Sequence, residues 1–95
     1  MNIIIITGAS SGIGRKFALQ MDSKFGNIDE FWLVARSRRR LRETADAMGH
    51  RTRIFPMDIT DREQLDALEN AAFRHNAIVR MLINCAGYGI RGDFC

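Results

Sequence analysis

Short apolar runs alternate with stretches of helical periodicity along the whole chain. Residues 3–6 and 31–35 are apolar at every position, which is typical of strands covered on both faces. Residues 53–57 and 78–83 form two further runs, and the second is interrupted only by Arg80. The pattern therefore predicts four strands. None of these runs approaches the roughly 20 apolar residues that span a bilayer, so we expect no membrane partner.

Three amphipathic helices are predicted between these strands, because apolar residues recur there at intervals of three and four. The apolar stripes are Ile13, Phe17 and Met21 on the first helix, Leu41, Ala45 and Met48 on the second, and Leu65, Leu68 and Ala72 on the third. We expect each stripe to face the sheet that the strands form.

Capping residues and glycines mark the predicted ends of these helices. The first helix is expected to stop near Gly26. Ser37 can cap the second helix, and Gly49 stands where a left-handed residue would end it. Residues 60–63, Thr-Asp-Arg-Glu, match a capping box that opens the third helix, with Thr60 as its N-cap.

The element order β-α-β-α-β-α-β indicates an α/β fold, in which crossover helices cover both faces of a parallel sheet. Such an order is part of a Rossmann-type doubly wound parallel sheet, with three α/β/α layers and strand order 3-2-1-4. Pro56 agrees with this topology. Proline cannot donate to a strand ladder, and the third strand would lie at the edge of the sheet.

Length and composition limit the chain to one partial domain, residues 1–95. The sequence is 46% apolar and 26% charged, as in an ordinary globular protein, but 95 residues leave no room for a separate substrate domain. The first residues lack the basic segment and cleavage site of a secretory signal, so we expect a cytoplasmic protein. The two cysteines match no zinc-binding spacing, and no metal site is predicted.

The net charge of +3 comes from one short segment. Five of the fourteen basic residues lie within seven positions, and without them the net charge would be negative. They are Arg36, Arg38, Arg39, Arg40 and Arg42. No aromatic residue within the segment offers a stacking platform, so we expect a small anionic ligand and no nucleic acid.

A glycine-rich loop, Thr-Gly-Ala-Ser-Ser-Gly-Ile-Gly, fills residues 7–14 between the first strand and the first helix. Gly8, Gly12 and Gly14 permit a sharp turn and leave room for a diphosphate beside the backbone. The unpaired N–H groups of the helix's first turn are donors to phosphate, and the hydroxyl groups of Ser10 and Ser11 add to them. The alternative is a glycine-rich turn that binds no ligand.

The spacing of the loop selects one type of nucleotide site. A Walker A motif is excluded because Ile13 stands where its second glycine is required, and G-x-G-x-x-G is excluded by Arg15-Lys16-Phe17. The remaining pattern, G-x-x-x-G-x-G, resembles the cofactor loop of the short-chain dehydrogenase/reductase family. The resemblance implies that the nicotinamide cofactor contacts Gly8, Ser10, Ser11, Gly12, Ile13 and Gly14.

Arg36 indicates which cofactor is preferred. An NAD-binding chain is expected to carry an acidic residue at the end of the second strand, where this chain has Val34-Ala35-Arg36. The Arg36 guanidinium can bind a ribose 2′-phosphate, which a carboxylate would repel. We therefore expect NADP(H) to be preferred over NAD(H), with Arg38 and Arg40 widening the positive field. The alternative is a solvated arginine run on a surface helix.

Two later segments also resemble the family. Residues 57–60, Met-Asp-Ile-Thr, are similar to its aspartate segment. The resemblance implies that Asp58 accepts a hydrogen bond from the adenine amino group and that Ile59 packs beside the ring. Ordinary helix-start chemistry is the alternative role for Asp58.

The second of these segments, residues 84–87, is Asn-Cys-Ala-Gly and resembles the family's Asn-Asn-Ala-Gly signature, with Cys85 at its second position. The resemblance implies that Asn84 steadies the centre of the sheet, and that Ala86 and Gly87 leave room for the nicotinamide ribose.

No catalytic residue is assigned. The family's chemistry uses a serine, a tyrosine and a lysine four positions after the tyrosine, but Gly92 stands four positions after Tyr88, the one tyrosine of this chain. We expect the N-terminal part of an NADP(H)-dependent oxidoreductase without its C-terminal catalytic part, inactive by itself. The alternative is a non-catalytic NADP-binding or partner-binding module. The open edge at residues 81–83 predicts self-association.

Overall fold

The computed structural model describes residues 1–10, 12–58 and 60–85. In this part of the chain, four parallel strands form one sheet in the order β3-β2-β1-β4. The strands are β1 (Asn2–Thr7), β2 (Glu30–Ala35), β3 (Arg51–Pro56) and β4 (Ile78–Asn84), and the helices are α1 (Gly12–Lys24), α2 (Arg38–Asp46) and α3 (Arg62–Arg74). The predicted fold class and strand order are confirmed. None of the described helices is long and apolar enough to cross a membrane.

β1 and β2 have two apolar faces, and each face belongs to a separate hydrophobic cluster. Ile4 and Ile6 pack in one cluster with residues of α1 and α2, including Ala18 and Leu41. On the opposite face, Ile3, Ile5, Trp32 and Val34 pack with Leu68 and Ala71 of α3. This three-layer arrangement explains the continuous apolar runs, because neither face of these strands meets water.

The buried stripe of α1 differs from the predicted one. The buried residues of this helix are Gly14 and Ala18, whereas Ile13 is 54% exposed. Met21 is only partly buried against the core. The small side chains of Gly14 and Ala18 allow the helix to approach the sheet closely, and this rotates Ile13 toward solvent.

The helix ends confirm one predicted cap and correct two others. Ser37 caps α2 and accepts a hydrogen bond from the Arg40 N–H. The N-cap of α3 is Asp61 rather than Thr60, because the Asp61 carboxylate accepts from the Glu63 N–H at 2.9 Å. Gly49 does not adopt the predicted left-handed conformation. α2 is instead capped by Ala47 in a right-handed conformation.

β3 lies at one edge of the sheet, as Pro56 predicted, and it begins two residues earlier than expected. Its register with β2 runs from Glu30 opposite Arg51 to Ala35 opposite Pro56. The next N–H group, that of Met57, donates to the Ala35 carbonyl at 2.8 Å. The ladder therefore continues past the residue that has no N–H of its own.

β4 lies at the other edge and is the least covered strand. Ile78, Val79 and Leu82 are 54%, 45% and 62% exposed. Pairing with β1 shifts register between Ile3 and Ile4, so that Val79 and Met81 face consecutive residues and Arg80 is left in a bulge. Apolar side chains on both faces of β4 thus remain accessible to water.

A buried acidic residue, Glu30, links β2 to β3 at the amino-terminal end of the sheet. Its carboxylate accepts from Trp32 Nε1 at 2.9 Å and from Arg53 Nε at 3.2 Å. Burial raises the pKa of Glu30, but the hydrogen bonds from Arg53 and Trp32 and the nearby positive charge outweigh burial and lower it overall. The charged carboxylate is therefore stable inside the fold.

Asp22 of α1 holds the segment between α2 and β3. Its Oδ2 accepts from the Gly49 N–H at 2.9 Å, and its Oδ1 accepts from the His50 N–H at 2.8 Å and contacts His50 Nδ1 at 2.7 Å. Burial raises the pKa of Asp22, but the hydrogen bonds from Gly49 and His50 outweigh it, and the pKa lies below 3.8.

We predict that Asp22→Asn lowers the free energy of unfolding by roughly 1–3 kcal/mol at pH 7, because an amide loses the charge-assisted bonds. The folded-state pKa of Asp22 is depressed, so its contribution is fully present well above the ordinary pKa of an aspartate and is lost as pH falls through the folded pKa. Urea unfolding between pH 7 and pH 3 should show the two proteins converging at low pH. Asp66→Asn, on the exposed surface of α3, is the control. A constant difference at all pH values would contradict this role.

Candidate functional site

The predicted site residues lie where the strands end. Thr7, Ala35, Pro56 and Asn84 are the last residues of the four parallel strands, so these four residues lie at the same end of the sheet. β1 leads into α1 on one face, whereas β4 follows α3 on the opposite face. The connections therefore change sides between β1 and β4. In open α/β sheets, the crevice at such a switch point is where ligands bind.

The glycine loop begins with a bend that is held by β2. Gly8 adopts the left-handed conformation, with φ of 72°, which a residue with a Cβ adopts only with strain. Its N–H donates to the Val34 carbonyl at 2.7 Å, and the Ala9 N–H donates to the same oxygen at 3.3 Å. Ala9 is fully buried and Ser10 is half-buried. The predicted loop residue Ser11 lies outside the described residues.

Gly12 opens α1 without being required by the fold. It is exposed, it is not left-handed, and among the described residues a Cβ built on it would meet no heavy atom within 4 Å beyond its chain neighbours and its own helix. Ile13 is also exposed, whereas Gly14 is buried against the body of the protein. The first turn of α1 contains no acidic residue, so no carboxylate of that turn offsets the positive end of the helix dipole. This arrangement is suited to an anion.

Arg36 follows the end of β2 and is exposed, as are the other four arginines of the basic segment. Its charge is close enough to Asp58, after β3, to contribute to the lowered pKa of that carboxyl group. The loops that follow β2 and β3 begin side by side, because Ala35 and Pro56, the last residues of these strands, are paired. The basic segment that begins at Arg36 therefore lies next to the loop that follows β3.

The Asp58 carboxylate organises the start of α3. Its Oδ1 accepts from both the N–H and the hydroxyl of Thr60, at 3.0 and 2.6 Å, while its own N–H donates to Gln64 Oε1 at 2.6 Å. The hydrogen bonds from Thr60 are the main cause of the lowered pKa of Asp58, and Arg36 adds to them. In this structure, Asp58 therefore has the helix-start role that the sequence left open. Its adenine contact stays a prediction, and Ile59 lies outside the described residues.

Asn84 joins the ends of β4 and β1. The Thr7 hydroxyl donates to Asn84 Oδ1 at 2.8 Å, and the Cys85 N–H donates to the Thr7 carbonyl at 3.0 Å. Thr7 is 5% exposed and Asn84 is exposed, so this contact is partly shielded from solvent. The predicted role of Asn84 in steadying the centre of the sheet stays a prediction, since β4 lies at an edge of the described sheet. Ala86 and Gly87, and with them Tyr88, lie outside the described residues.

Thr44 of α2 is a site residue that the sequence pattern did not single out. It is 1% exposed, and its hydroxyl donates to the Ala9 carbonyl in the glycine loop at 3.2 Å. Thr44 lies three residues after Leu41 and directly before Ala45, on the stripe that faces the core. A hydroxyl within an apolar stripe must find a buried partner, and this was the available signal.

The described residues contain no group of three or more histidine, cysteine, aspartate or glutamate side chains able to hold a metal ion. What they bring together, where the parallel strands end, is a left-handed bend, a helix N-terminus without acidic residues, an exposed arginine and a hydrogen-bonded asparagine. Such a set is suited to a phosphate-bearing ligand.

The chain is similar in sequence to one known protein family and to several of its relatives. The sequence model of the short chain dehydrogenase family matches residues 2–95. A fatty acyl-CoA reductase of Acinetobacter baylyi is 37% identical over 92 residues, which cover 94% of this chain and 30% of that protein. An uncharacterized oxidoreductase of Staphylococcus epidermidis is 28% identical over 88 residues, which cover 93% of this chain and 37% of that protein. The chain thus spans about a third of the length of these relatives.

Solved structures share the fold. A metagenomic short-chain oxidoreductase crystallised in complex with NADP superposes with a TM-score of 0.78 at 26% identity, covering 93% of this chain and 40% of that one. A short chain dehydrogenase from Bacillus anthracis superposes with a TM-score of 0.72 at 21% identity, and the match covers 90% of this chain and 34% of that one.

Proposed function

The chain belongs to the short-chain dehydrogenase family, and on that premise we propose that it is the cofactor-binding N-terminal portion of an NADP(H)-dependent oxidoreductase. The complete protein would transfer a hydride between the nicotinamide and a carbonyl or alcohol substrate. The observation that carries this proposal is the left-handed Gly8 bend, which leads into a helix whose first turn has no acidic residue, at the same end of the sheet as the exposed Arg36.

The diphosphate of the cofactor would lie against the glycine loop and the first turn of α1. Gly8 produces the bend, and Gly12 leaves the space that a side chain would otherwise enter. Ser10, Ser11, Ile13 and Gly14 complete this part of the proposed site. Backbone N–H groups and the helix dipole favour an anion here without any lysine or metal.

The adenosine half of the cofactor would extend toward β2 and β3. Arg36 would bind the 2′-phosphate, and Asp58 and Ile59 would flank the adenine. An acidic residue at position 36 would favour NAD(H), and its replacement by arginine supports NADP(H). The metagenomic relative was crystallised with NADP, which is consistent with this preference. At the other end, Asn84, Ala86 and Gly87 would border the nicotinamide ribose.

Catalysis would need residues that this chain does not supply. Its one tyrosine, Tyr88, has no lysine four positions later. We therefore expect the 95-residue chain to bind cofactor and to show no cofactor-dependent oxidation or reduction. Hydride transfer by the purified chain, followed at 340 nm with carbonyl substrates, would contradict this expectation.

Arg36→Asp tests the cofactor preference. The ratio of NADP to NAD affinity should fall at least about tenfold, because the substitution replaces a charge-assisted hydrogen bond to the 2′-phosphate with a repulsion. Calorimetric titration with both cofactors measures the ratio. Arg39→Asp, an equal change of charge at an exposed position on α2, should alter the ratio much less. Equal preference for NADP in the wild type and Arg36→Asp would refute the assignment.

Gly12→Ala separates folding from cofactor binding. In the described part of the chain, the methyl group meets no heavy atom within 4 Å beyond its chain neighbours and its own helix, so the free energy of unfolding should stay the same or rise by up to about 1 kcal/mol. NADP affinity should nevertheless fall on the order of tenfold, because the methyl group occupies the diphosphate space. Gly26→Ala is the matched control, since a Cβ there is equally unhindered and the residue lies after α1. An unchanged NADP affinity in Gly12→Ala would contradict the proposal that the diphosphate lies beside Gly12.

The uncovered edge of β4 would associate with a second copy of the chain. Ile78, Val79, Met81 and Leu82 are exposed on a strand that has a hydrogen-bonded neighbour, β1, on one side only in the described sheet. Leu82→Lys should lower the weight-average mass measured by light scattering at high concentration, because a charge on an edge strand opposes pairing. Phe73→Lys removes an exposed side chain from α3 and should not lower it. A monodisperse wild-type monomer would contradict the association.

A further inference from the structure

The buried hydroxyl of Thr44 connects α2 to the glycine loop of the proposed cofactor site. Thr44 Oγ1 lies 3.2 Å from the Ala9 carbonyl oxygen and 3.2 Å from the Arg40 carbonyl oxygen of the preceding turn. Its one proton therefore serves two acceptors. Valine would fill the same volume on this apolar stripe without the cost of burying a hydroxyl, so the polar group has a function that packing does not require.

The Ala9–Ser10 peptide is held at its carbonyl by this contact. Upstream, the Ala9 N–H donates to the Val34 carbonyl at 3.3 Å, so the backbone of Ala9 is fixed from β2 on one side and from α2 on the other. No cis peptide bond occurs among the described residues, and in a trans peptide the C=O and the following N–H point in opposite directions. Since the Ala9 carbonyl points at Thr44 of α2, the Ser10 N–H points away from that contact.

We propose that Thr44 is a positioning residue for cofactor binding: it orients the Ala9–Ser10 peptide so that the Ser10 N–H is presented to the cofactor diphosphate. This inference rests on the proposed function. The Thr44 hydrogen bond acts on the glycine loop, so the diphosphate part of the proposed site depends on Thr44 and the 2′-phosphate part does not.

The binding test compares ligands with and without a diphosphate. In Thr44→Val, affinity for NADP and for NAD should fall by a similar factor, about 5–10-fold for one lost hydrogen bond, and the ratio between them should stay unchanged. Adenosine 2′-monophosphate, which lacks the diphosphate, should bind Thr44→Val and wild type equally. Thr44→Ser keeps the hydroxyl and should restore dinucleotide affinity. A merely structural role would weaken all three ligands together or none.

Asp22→Asn provides the matched stability control. It is expected to destabilise the fold through the α1 contact with Gly49 and His50, which lies outside the glycine loop, and it should leave all three affinities unchanged. Far-UV circular dichroism establishes that each variant is folded before titration. Unchanged dinucleotide affinity in folded Thr44→Val would overturn the inference, as would a failure of Thr44→Ser to restore it.

A ligand-free measurement separates this inference from the proposed function. The amide proton signal of Ser10 in nuclear magnetic resonance spectra should shift in Thr44→Val and remain near its wild-type position in Thr44→Ser. If wild type binds neither NADP nor NAD, the proposed function fails while the Ser10 signal still decides whether Thr44 orients the peptide. If wild type binds NADP and the Ser10 signal is insensitive to Thr44→Val, the inference fails and the proposed function stands.

Discussion

β1 is paired along both edges and covered on both faces, and this burial determines the rest of the arrangement. Its four consecutive isoleucines are at most 6% exposed, and each contributes about 1.5–3 kcal/mol relative to an exposed side chain. Two apolar faces require two helical layers, so the connections must change sides next to this strand. The chain can expose polar backbone again only where β1 ends, after Thr7. The bend at Gly8 therefore lies at the switch point as a consequence of core packing.

The end of β2 links the loops around that bend. The Val34 carbonyl accepts from both Gly8 and Ala9, the Ala35 carbonyl accepts from Met57 after β3, and Arg36 follows directly. Three consecutive residues thus hold the glycine loop, start the basic segment and fix the loop that carries Asp58. A phosphate site at the bend and a second one at Arg36 would share a single backbone anchor, so their separation would be set by the geometry of the strand.

The strands, the strand order and the family could be predicted from the sequence, because they depend on apolar runs and motif spacings that do not change when a helix rotates slightly about its axis. Details that depend on that rotation, such as which side chains of a helix are buried, could not be predicted. Ile13 satisfies a helical stripe, yet the smaller Gly14 and Ala18 face the sheet since they permit a closer approach. Asp61 replaces Thr60 as the N-cap because Thr60 is engaged by Asp58. The buried Thr44 and Glu30 have hydrogen-bond partners 35 and 23 residues away in sequence, and local periodicity carries no information at that range.

The bulge at Arg80 and the sparse covering of β4 give the sheet an uneven resistance to local opening. β2 and β1 are packed between hydrophobic clusters on both faces. β4 contributes Ile83 to one of these clusters and the Thr7–Asn84 hydrogen bond, and most of its other described apolar side chains are exposed. Local unfolding free energy follows buried apolar contact, so the backbone amides of β4 should exchange with solvent while those of β1 stay protected by β2. Separation of β4 would take Asn84 away from Thr7, so a ligand that bridges the ends of both strands would also slow that exchange.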